Sequence, residues 1–230
     1  MILIAVFKHL VNLFYPNLCV GCRLPLPTGH ELICVACRMQ LPYTKFNSAV
    51  DNPLVKTFWG RGNIYEGAAL FYYQKNTVVQ ELLHAFKYRQ YTAVADVFGG
   101  EIGKIIQEKG IFTGCQALVP VPLHKSKLKV RGYNQSTLLA RGISTITGQQ
   151  VNEEILKKET STNSQTKKGR FDRWINSGEN FIGVKTSLSH VALVDDVITT
   201  GATVEACINA LRKENPGIQI SVLALAYAYR

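Results

Sequence analysis

Residues 191–203 read V-A-L-V-D-D-V-I-T-T-G-A-T. The apolar run Val191 to Val194 suits a central strand buried on both faces. Asp195 and Asp196 then emerge at its carboxyl end. Thr199, Thr200, Gly201, Ala202 and Thr203 turn into an amphipathic helix with Val204, Cys207, Ile208 and Leu211 on one stripe, which makes Cys207 a core residue. Small residues and one glycine let backbone N–H groups converge on an anion. The helix dipole adds partial positive charge there, and the threonine hydroxyls add donors. That is a phosphate cradle. The aspartates would repel a bare phosphate, so they must meet something else: ribose hydroxyls, or a magnesium ion that favours hard oxygen ligands. Phosphate on the loop and sugar on the carboxylates describe a ribose 5-phosphate. The bland alternative, an ordinary strand–turn–helix with solvated aspartates, leaves two adjacent acids before T-T-G-A-T unexplained.

Around this stretch, strands alternate with helices. Ala68 to Tyr73, Ala117 to Val121, His190 to Val194 and Ile218 to Ala226 read as strands. Val78 to Lys87, Ala93 to Glu108, Asn134 to Thr147 (ended by Gly148) and Thr203 to Lys213 read as helices. His84 and His190 fall in apolar patterns and are expected to pack. The alternation predicts an α/β fold, a parallel sheet flanked by helices, with ligands at the carboxyl ends of the strands. Residues 44–62 lack periodicity and contain Pro53, Gly60 and Gly62. The expected organisation is therefore an N-terminal module over 1–43, a linker over 44–62 and the α/β domain over 63–230.

The module is defined by Cys19, Cys22, Cys34 and Cys37, two C-x2-C pairs with eleven residues between them. Two residues within each pair let both thiolates face one tetrahedral ion, and a short hairpin brings up the second pair. The spacing predicts a structural zinc in a zinc-ribbon-like module, with no open position for catalysis. Disulfides are the competing reading, but no export signal accompanies the cysteines, and reduced thiols are the rule in the cytosol. His30, between the pairs, is read as a loop residue. A segment of about 40 residues would need the metal to fold. Before it, residues 4–15 (Val6, Leu10, Leu13, Phe14) read as an apolar helix packed on the body or, less favourably, lying on a membrane surface.

The chain has 230 residues, with 26 Lys+Arg against 16 Asp+Glu, a net charge of +10. A hydrophobic content of 47% excludes a disordered chain, and the charge directs partner expectations to anions. The early apolar run Ile2 to Phe7 is far short of the roughly 20 residues that span a bilayer, and Lys8 and His9 follow it where a signal would have them precede. No transmembrane segment and a cytoplasmic location are expected.

Val119 to Gln135 reads V-P-V-P-L-H-K-S-K-L-K-V-R-G-Y-N-Q. A buried strand meets a turn stiffened by Pro120 and Pro122. Lys125, Lys127, Lys129 and Arg131 recur at every second position, so an extended loop would put all four on one side, able to close over a pyrophosphate. A solvated basic hairpin is the plainer reading. Residues 121–173 hold eleven Lys/Arg against four Asp/Glu, most of the net charge. Aromatics interleave: Tyr88 and Tyr91 flank Arg89, Tyr133 follows Arg131, and Phe171 and Trp174 flank Arg173. Cations for a backbone and rings for bases suit single-stranded nucleic acid. The same charges could instead serve only the small ligand. Candidate nucleic-acid contacts are Lys125, Lys127, Lys129, Tyr133, Arg170, Arg173 and Trp174.

The aspartate–threonine stretch resembles the type I phosphoribosyltransferase fold, whose signature binds phosphoribosyl pyrophosphate (PRPP). Together with the paired C-x2-C motifs, P-V-P-L-H, R-G-Y-N-Q, Lys87-Tyr88, Gln165-Thr166, Arg173, Asn176 and Phe181, it resembles the ComF/GntX family over nearly the whole chain. Members of that family are associated with natural competence, the uptake or use of external DNA. Lys158 departs from the pattern, standing where an arginine is expected. The resemblance implies that Asp195 and Asp196 hold the ribose hydroxyls, directly or through magnesium, and that Thr199 to Thr203 hold the 5-phosphate. Pro122, Leu123 and His124, with Arg131, would face the pyrophosphate. If PRPP is turned over, Asp195, Asp196 and Arg131 are the catalytic candidates, acting as pyrophosphate leaves an oxocarbenium-like ribose. Binding and turnover are separate questions, and no residue names an acceptor. The expected function is a PRPP-binding competence protein contacting single-stranded DNA, with DNA-uptake or helicase machinery as partners. The alternative is an active phosphoribosyltransferase of nucleotide salvage, and a third reading is a PRPP sensor.

Overall fold

In the computed structural model, which describes residues 16–27, 32–46, 48–159 and 181–229, the sheet grows from the strand at His190. Strands β1 (Gly67–Tyr72), β2 (Ala117–Pro120), β3 (Gln150–Val151), β6 (His190–Ile198) and β7 (Gln219–Tyr227) form a five-stranded sheet in the order β1-β7-β6-β2-β3. Every pair is parallel, with Val119 opposite Leu193, Leu193 opposite Val222 and Ala69 opposite Ala224. β4 (Leu156–Lys158) and β5 (Phe181–Gly183) make a separate antiparallel pair. The α/β architecture expected from the alternation is present. The strands are mostly apolar because helices cover both faces, with His190, Asp195, Asp196, Gln219 and Ser221 as polar interruptions in β6 and β7.

The period of two sorts the strand residues. Leu118, Ala192, Val194, Leu223 and Leu225 join one core cluster, and Val119, Val191, Leu193, Val222 and Ala224 join the other. On the first face lie α3 (Val78–Tyr88), α4 (Ala93–Lys109) and α6 (Gln135–Thr147), through Leu82, Phe86, Phe98, Ile102, Leu139 and Ile143. On the second lie α2 (Pro53–Lys56) and α7 (Ala202–Glu214), through Leu54, Phe58, Val204, Cys207, Ile208 and Leu211. Residues 44–62, expected to link two units, carry α2 and bury Leu54, Val55 and Phe58. Asn52 caps α2, accepting from the N–H groups of Leu54 and Val55 (3.0 and 3.1 Å) and donating to Gly67 O at 2.8 Å. Cys19, Val20, Leu32, Ile33 and Cys37 are buried in the first cluster with Val79 and Leu83.

Three expectations are corrected. β6 does not stop at Val194: Val197 and Ile198 continue the register against Ala226 and Tyr227, so the aspartates belong to the strand's last turn of pleat. Lys125–Arg131 is a helix, α5, instead of an extended loop. His124 caps it by accepting from Ser126 N–H, Gly132 ends it at φ 81, and Lys, Leu and Arg are good helix formers. The helix divides the four cations, Lys125 with Lys129 on one face and Lys127 with Arg131 on another. His84 is exposed, its ring 5.0 Å from that of Tyr88, because α3 turns this position away from the sheet. His190 packs as expected, with Nε2 2.8 Å from Ser221 Oγ. The residues 4–15, His30, Gln165, Thr166, Arg170, Phe171, Arg173, Trp174 and Asn176 lie outside the described residues.

α4 and α6 approach through glycines. A Cβ on Gly142 would lie 2.3 Å from Ala95 O, whereas one on Gly100 would meet only Ile146 Cγ1 at 3.9 Å. Gly142→Ala is expected to lose about 2 kcal/mol by overpacking, and Gly100→Ala to gain about 0.5–1 kcal/mol by helix propensity. Urea unfolding of the two variants side by side checks both signs.

Candidate functional site

Three stretches distant in sequence meet at the carboxyl ends of β2 and β6. The first is the loop between β6 and α7. Gly201 caps α7 in the left-handed region at φ 77, a conformation that favours glycine. A Cβ there would lie 3.0 Å from Phe58 Cε1, so the loop rests against the segment before β1. Arg61 reinforces this contact, donating to Thr200 O at 3.0 Å and pairing with Glu205. Ala202 N–H donates to Thr200 Oγ1 at 3.4 Å. Thr199 to Val204, with Asp195, Val197 and Ile198, line a recess of about 40 Å³ at the amino end of α7. Helix polarity makes that recess favourable for a small anion.

The acidic pair forms the second part. Asp195 Oδ1 accepts from Ser136 Oγ at 3.1 Å and from Asp196 N–H at 2.9 Å. Asp196 is buried, and its Oδ2 lies 3.1 Å from Lys87 Nζ. Burial, and then the charge of Asp196, push the Asp195 carboxyl up to about 7. Ser136 is supplied by the first turn of α6, and Lys87 by the last turn of α3.

The third part is the chain from β2 to α6. Val121 N–H donates to Val194 O at 2.9 Å, and Asn134 Nδ2 donates to Val121 O at 3.0 Å, so both ends of this excursion are tied beside the aspartates. Pro122 and Leu123 line a recess of about 360 Å³ with Pro120, Leu128, Tyr133 and Asn134. His124 is committed to its capping bond, and its Nδ1 also lies 2.6 Å from Ser126 Oγ. No residue of α5 is buried, and Lys125, Lys127 and Lys129 face solvent. Arg131 turns inward, donating to Gln135 Oε1 at 2.9 Å, with its guanidinium 5.1 Å from the Tyr88 ring centre. Tyr133 packs by Phe86 and donates its hydroxyl to Phe86 O, so its ring is engaged in the first cluster. Lys158 lies over the Phe181 ring at 4.8 Å.

Thus the structure brings Asp195, Asp196 and the Thr199–Thr203 loop together, with Arg131 and Pro122 to His124 at the neighbouring strand end. Ser136 and Arg61 were not legible as site residues, and Gln135 and Lys87 only as parts of a family pattern. Ser136, Arg61 and Lys87 act across the fold, whereas Gln135 meets Arg131 four residues away, and none of these residue types carries a local signal. A larger cavity of about 850 Å³ lies away from these groups, between the outer edge of β1 and α4, lined by Tyr43, Phe46, Leu70, Ile105 and Ile111 among others.

The sulfur atoms of Cys19, Cys22, Cys34 and Cys37 all lie within 4.8 Å of one another. Cys22 and Cys34 are 3.7 Å apart, close to the edge of a tetrahedron with metal–sulfur bonds of about 2.3 Å and far beyond a disulfide bond of about 2.05 Å. Gly21 allows this closeness, since a Cβ there would meet Cys37 Sγ at 2.8 Å. Burial raises the Cys19 thiol, but backbone N–H groups of Cys22, Cys34 and Gly21 outweigh it and bring it down to about 6. The four cysteines could hold a metal such as zinc.

No protein-family model matches the chain. Over 160 residues, 66% of the chain, it is 27% identical to the competence protein ComFC of Bacillus subtilis strain 168. Over 103 residues it is 36% identical to the competence protein F of Haemophilus influenzae strain Rd. The chain is thus similar to two proteins named for competence. The matched stretches span 61% and 44% of the lengths of these two relatives. Both relatives carry competence in their names, and among the described residues no helix is long and apolar enough to cross a membrane.

Two outcomes are expected of this site. Elemental analysis should return about one zinc per chain, and Cys19→Ser or chelation should lower the melting temperature, because metal binding at such a site is coupled to folding. The raised Asp195 carboxyl binds its proton more tightly in the folded chain than in the unfolded one. Its contribution is therefore full below about pH 4 and is lost as pH rises toward about 7. Asp195→Asn should raise the melting temperature relative to wild type, by an increment that grows across that window and is level above it.

Proposed function

We propose that the carboxyl-edge site binds PRPP or a related ribose 5-phosphate in the service of DNA uptake. The observation that carries this reading is the placement of the half-buried Asp195, beside the buried Asp196, in the recess of the helix-capping Thr/Gly loop that follows the same strand. The loop N–H groups and threonine hydroxyls suit a 5-phosphate. The carboxylates of Asp195 and Asp196 suit two ribose hydroxyls as hydrogen-bond donors. In this reading the Pro122 to His124 strand end, with Arg131, faces the pyrophosphate on C1. Any magnesium that accompanies PRPP then travels on its diphosphate. The competence names of the two relatives favour a role with incoming DNA, in the cytoplasm and alongside uptake or helicase machinery.

In this reading Lys125, Lys127 and Lys129 contact single-stranded DNA. They are free of the core, and Val130, 84% exposed, stands among them as an apolar surface for a base. Turnover of PRPP is the second reading, and the recess of about 360 Å³ beside the β2 end favours it, since an acceptor would have room there. Asp195, Asp196 and Arg131 would then surround the reacting sugar, the aspartates holding its hydroxyls while the arginine meets the departing diphosphate.

Calorimetric titration with PRPP, ribose 5-phosphate and single-stranded DNA, with and without magnesium, separates these readings. PRPP should bind, and Asp196→Asn should weaken it by about tenfold or more, as expected for a lost bond to a charged group. Replacing the three lysines by alanine should reduce the salt slope of DNA affinity by about 2. Failure of PRPP to bind, or DNA affinity indifferent to salt, would sink the corresponding half. Pyrophosphate release in the presence of a nucleobase or amine would establish turnover.

A further inference from the structure

Magnesium on the aspartates is one of the two roles open to the pair, and the side chains around it decide against that role. Lys87 Nζ lies 3.1 Å from Asp196 Oδ2, with only 21% of the lysine side chain and 10% of the aspartate side chain exposed. Asp195 Oδ1 already accepts two bonds, from Ser136 Oγ and Asp196 N–H. Lys87 cannot easily withdraw. Its neighbour Phe86 is fully buried and accepts the Tyr133 hydroxyl at its carbonyl oxygen, and its other neighbour, Tyr88, sits under Arg131. A divalent cation needs about six oxygen ligands, and here it would arrive within a few ångströms of a fixed ammonium. The residues present do not fit the ion. They fit a neutral vicinal diol, which gains from ionised acceptors and brings no charge to oppose the lysine. The upward shift of Asp195 agrees, since a proton there leaves one anion for one ammonium.

We propose that Lys87 is a positioning residue that fixes Asp196 as an ionised acceptor for a vicinal diol and occupies, with its ammonium, the place a divalent cation would take at the aspartate pair. The diol part rests on the ribose reading above; the cation part does not.

The test uses the full zinc-loaded chain. Manganese binding in the absence of PRPP is followed by electron paramagnetic resonance for wild type, Lys87→Met, Lys87→Gln, and each of these with Asp196→Asn. Wild type should show no manganese site that Asp196→Asn removes. The two neutral variants should each gain one that the double substitution abolishes. PRPP titrations at fixed magnesium across pH 6–9 should show about tenfold weaker binding for the neutral variants, with a changed pH profile, and recovery in Lys87→Arg. A wild-type manganese site lost in Asp196→Asn overturns the proposal. So does a folded Lys87→Gln protein that gains no manganese site, or one that binds PRPP with wild-type affinity and pH profile. Should wild type bind no PRPP, the ribose reading falls, while the manganese comparison still decides the lysine's place.

Discussion

A central strand that carries two adjacent carboxylates within its last residues is an electrostatic liability, and much of the fold around the site answers it. Lys87 comes from α3, Ser136 from α6, and the amide of Asp196 turns back onto Asp195. Removing one partner from a buried ion pair typically costs about 3–5 kcal/mol, so the end of α3 and the end of β6 are not independent elements. The helices of the first face must be in register with the sheet before the acids can be placed there. Gly99, Gly103 and Gly142 let α4 and α6 close up, and α6 carries Ser136 to its position.

The opposite face supports the Thr199–Thr203 loop in the same way. Phe58 lies behind Gly201, Arg61 holds the carbonyl of Thr200, and Tyr227 OH donates to Pro53 O at 3.1 Å. A loop made of threonine, glycine and alanine has little packing of its own. Its shape comes from the chain that precedes β1, which reaches it through α2. The ligand edge is thus held from both faces of the sheet, by polar contacts on one and by an aromatic platform on the other.

The long periodic elements were legible because burial imposes their pattern. The stripes of α3, α4, α6 and α7 and the apolar runs of β2, β6 and β7 could be read within a residue or a few of their ends. The thiol cluster and the Thr/Gly loop were legible because their spacing is itself the chemistry. Short elements were not. α1 (Val35–Met39), α2 and α5 owe their existence to side-chain caps from Cys34, Asn52 and His124, and β3, β4 and β5 are too brief to show a period. The alternation of cations in Lys125–Arg131 imitated an extended strand because period two was the only pattern visible there. Lys87 was hidden for a different reason: a lysine near the end of an amphipathic helix is ordinary until its partner, far along the chain, is known.

The solvent-facing character of α5 has a consequence for how such a protein can change. Its outward positions Lys125, Lys127, Lys129 and Val130 can be rewritten in charge or aromatic content with little effect on foldability, unlike Leu128 and Arg131, which turn to the recess and to Gln135. The aspartates, the lysine and the glycines under them have no such freedom, since each substitution there disturbs several partners at once. One edge of the sheet therefore combines a tightly constrained pocket with a tunable arm, so the arm's surface can change while the groups around the aspartates stay as they are.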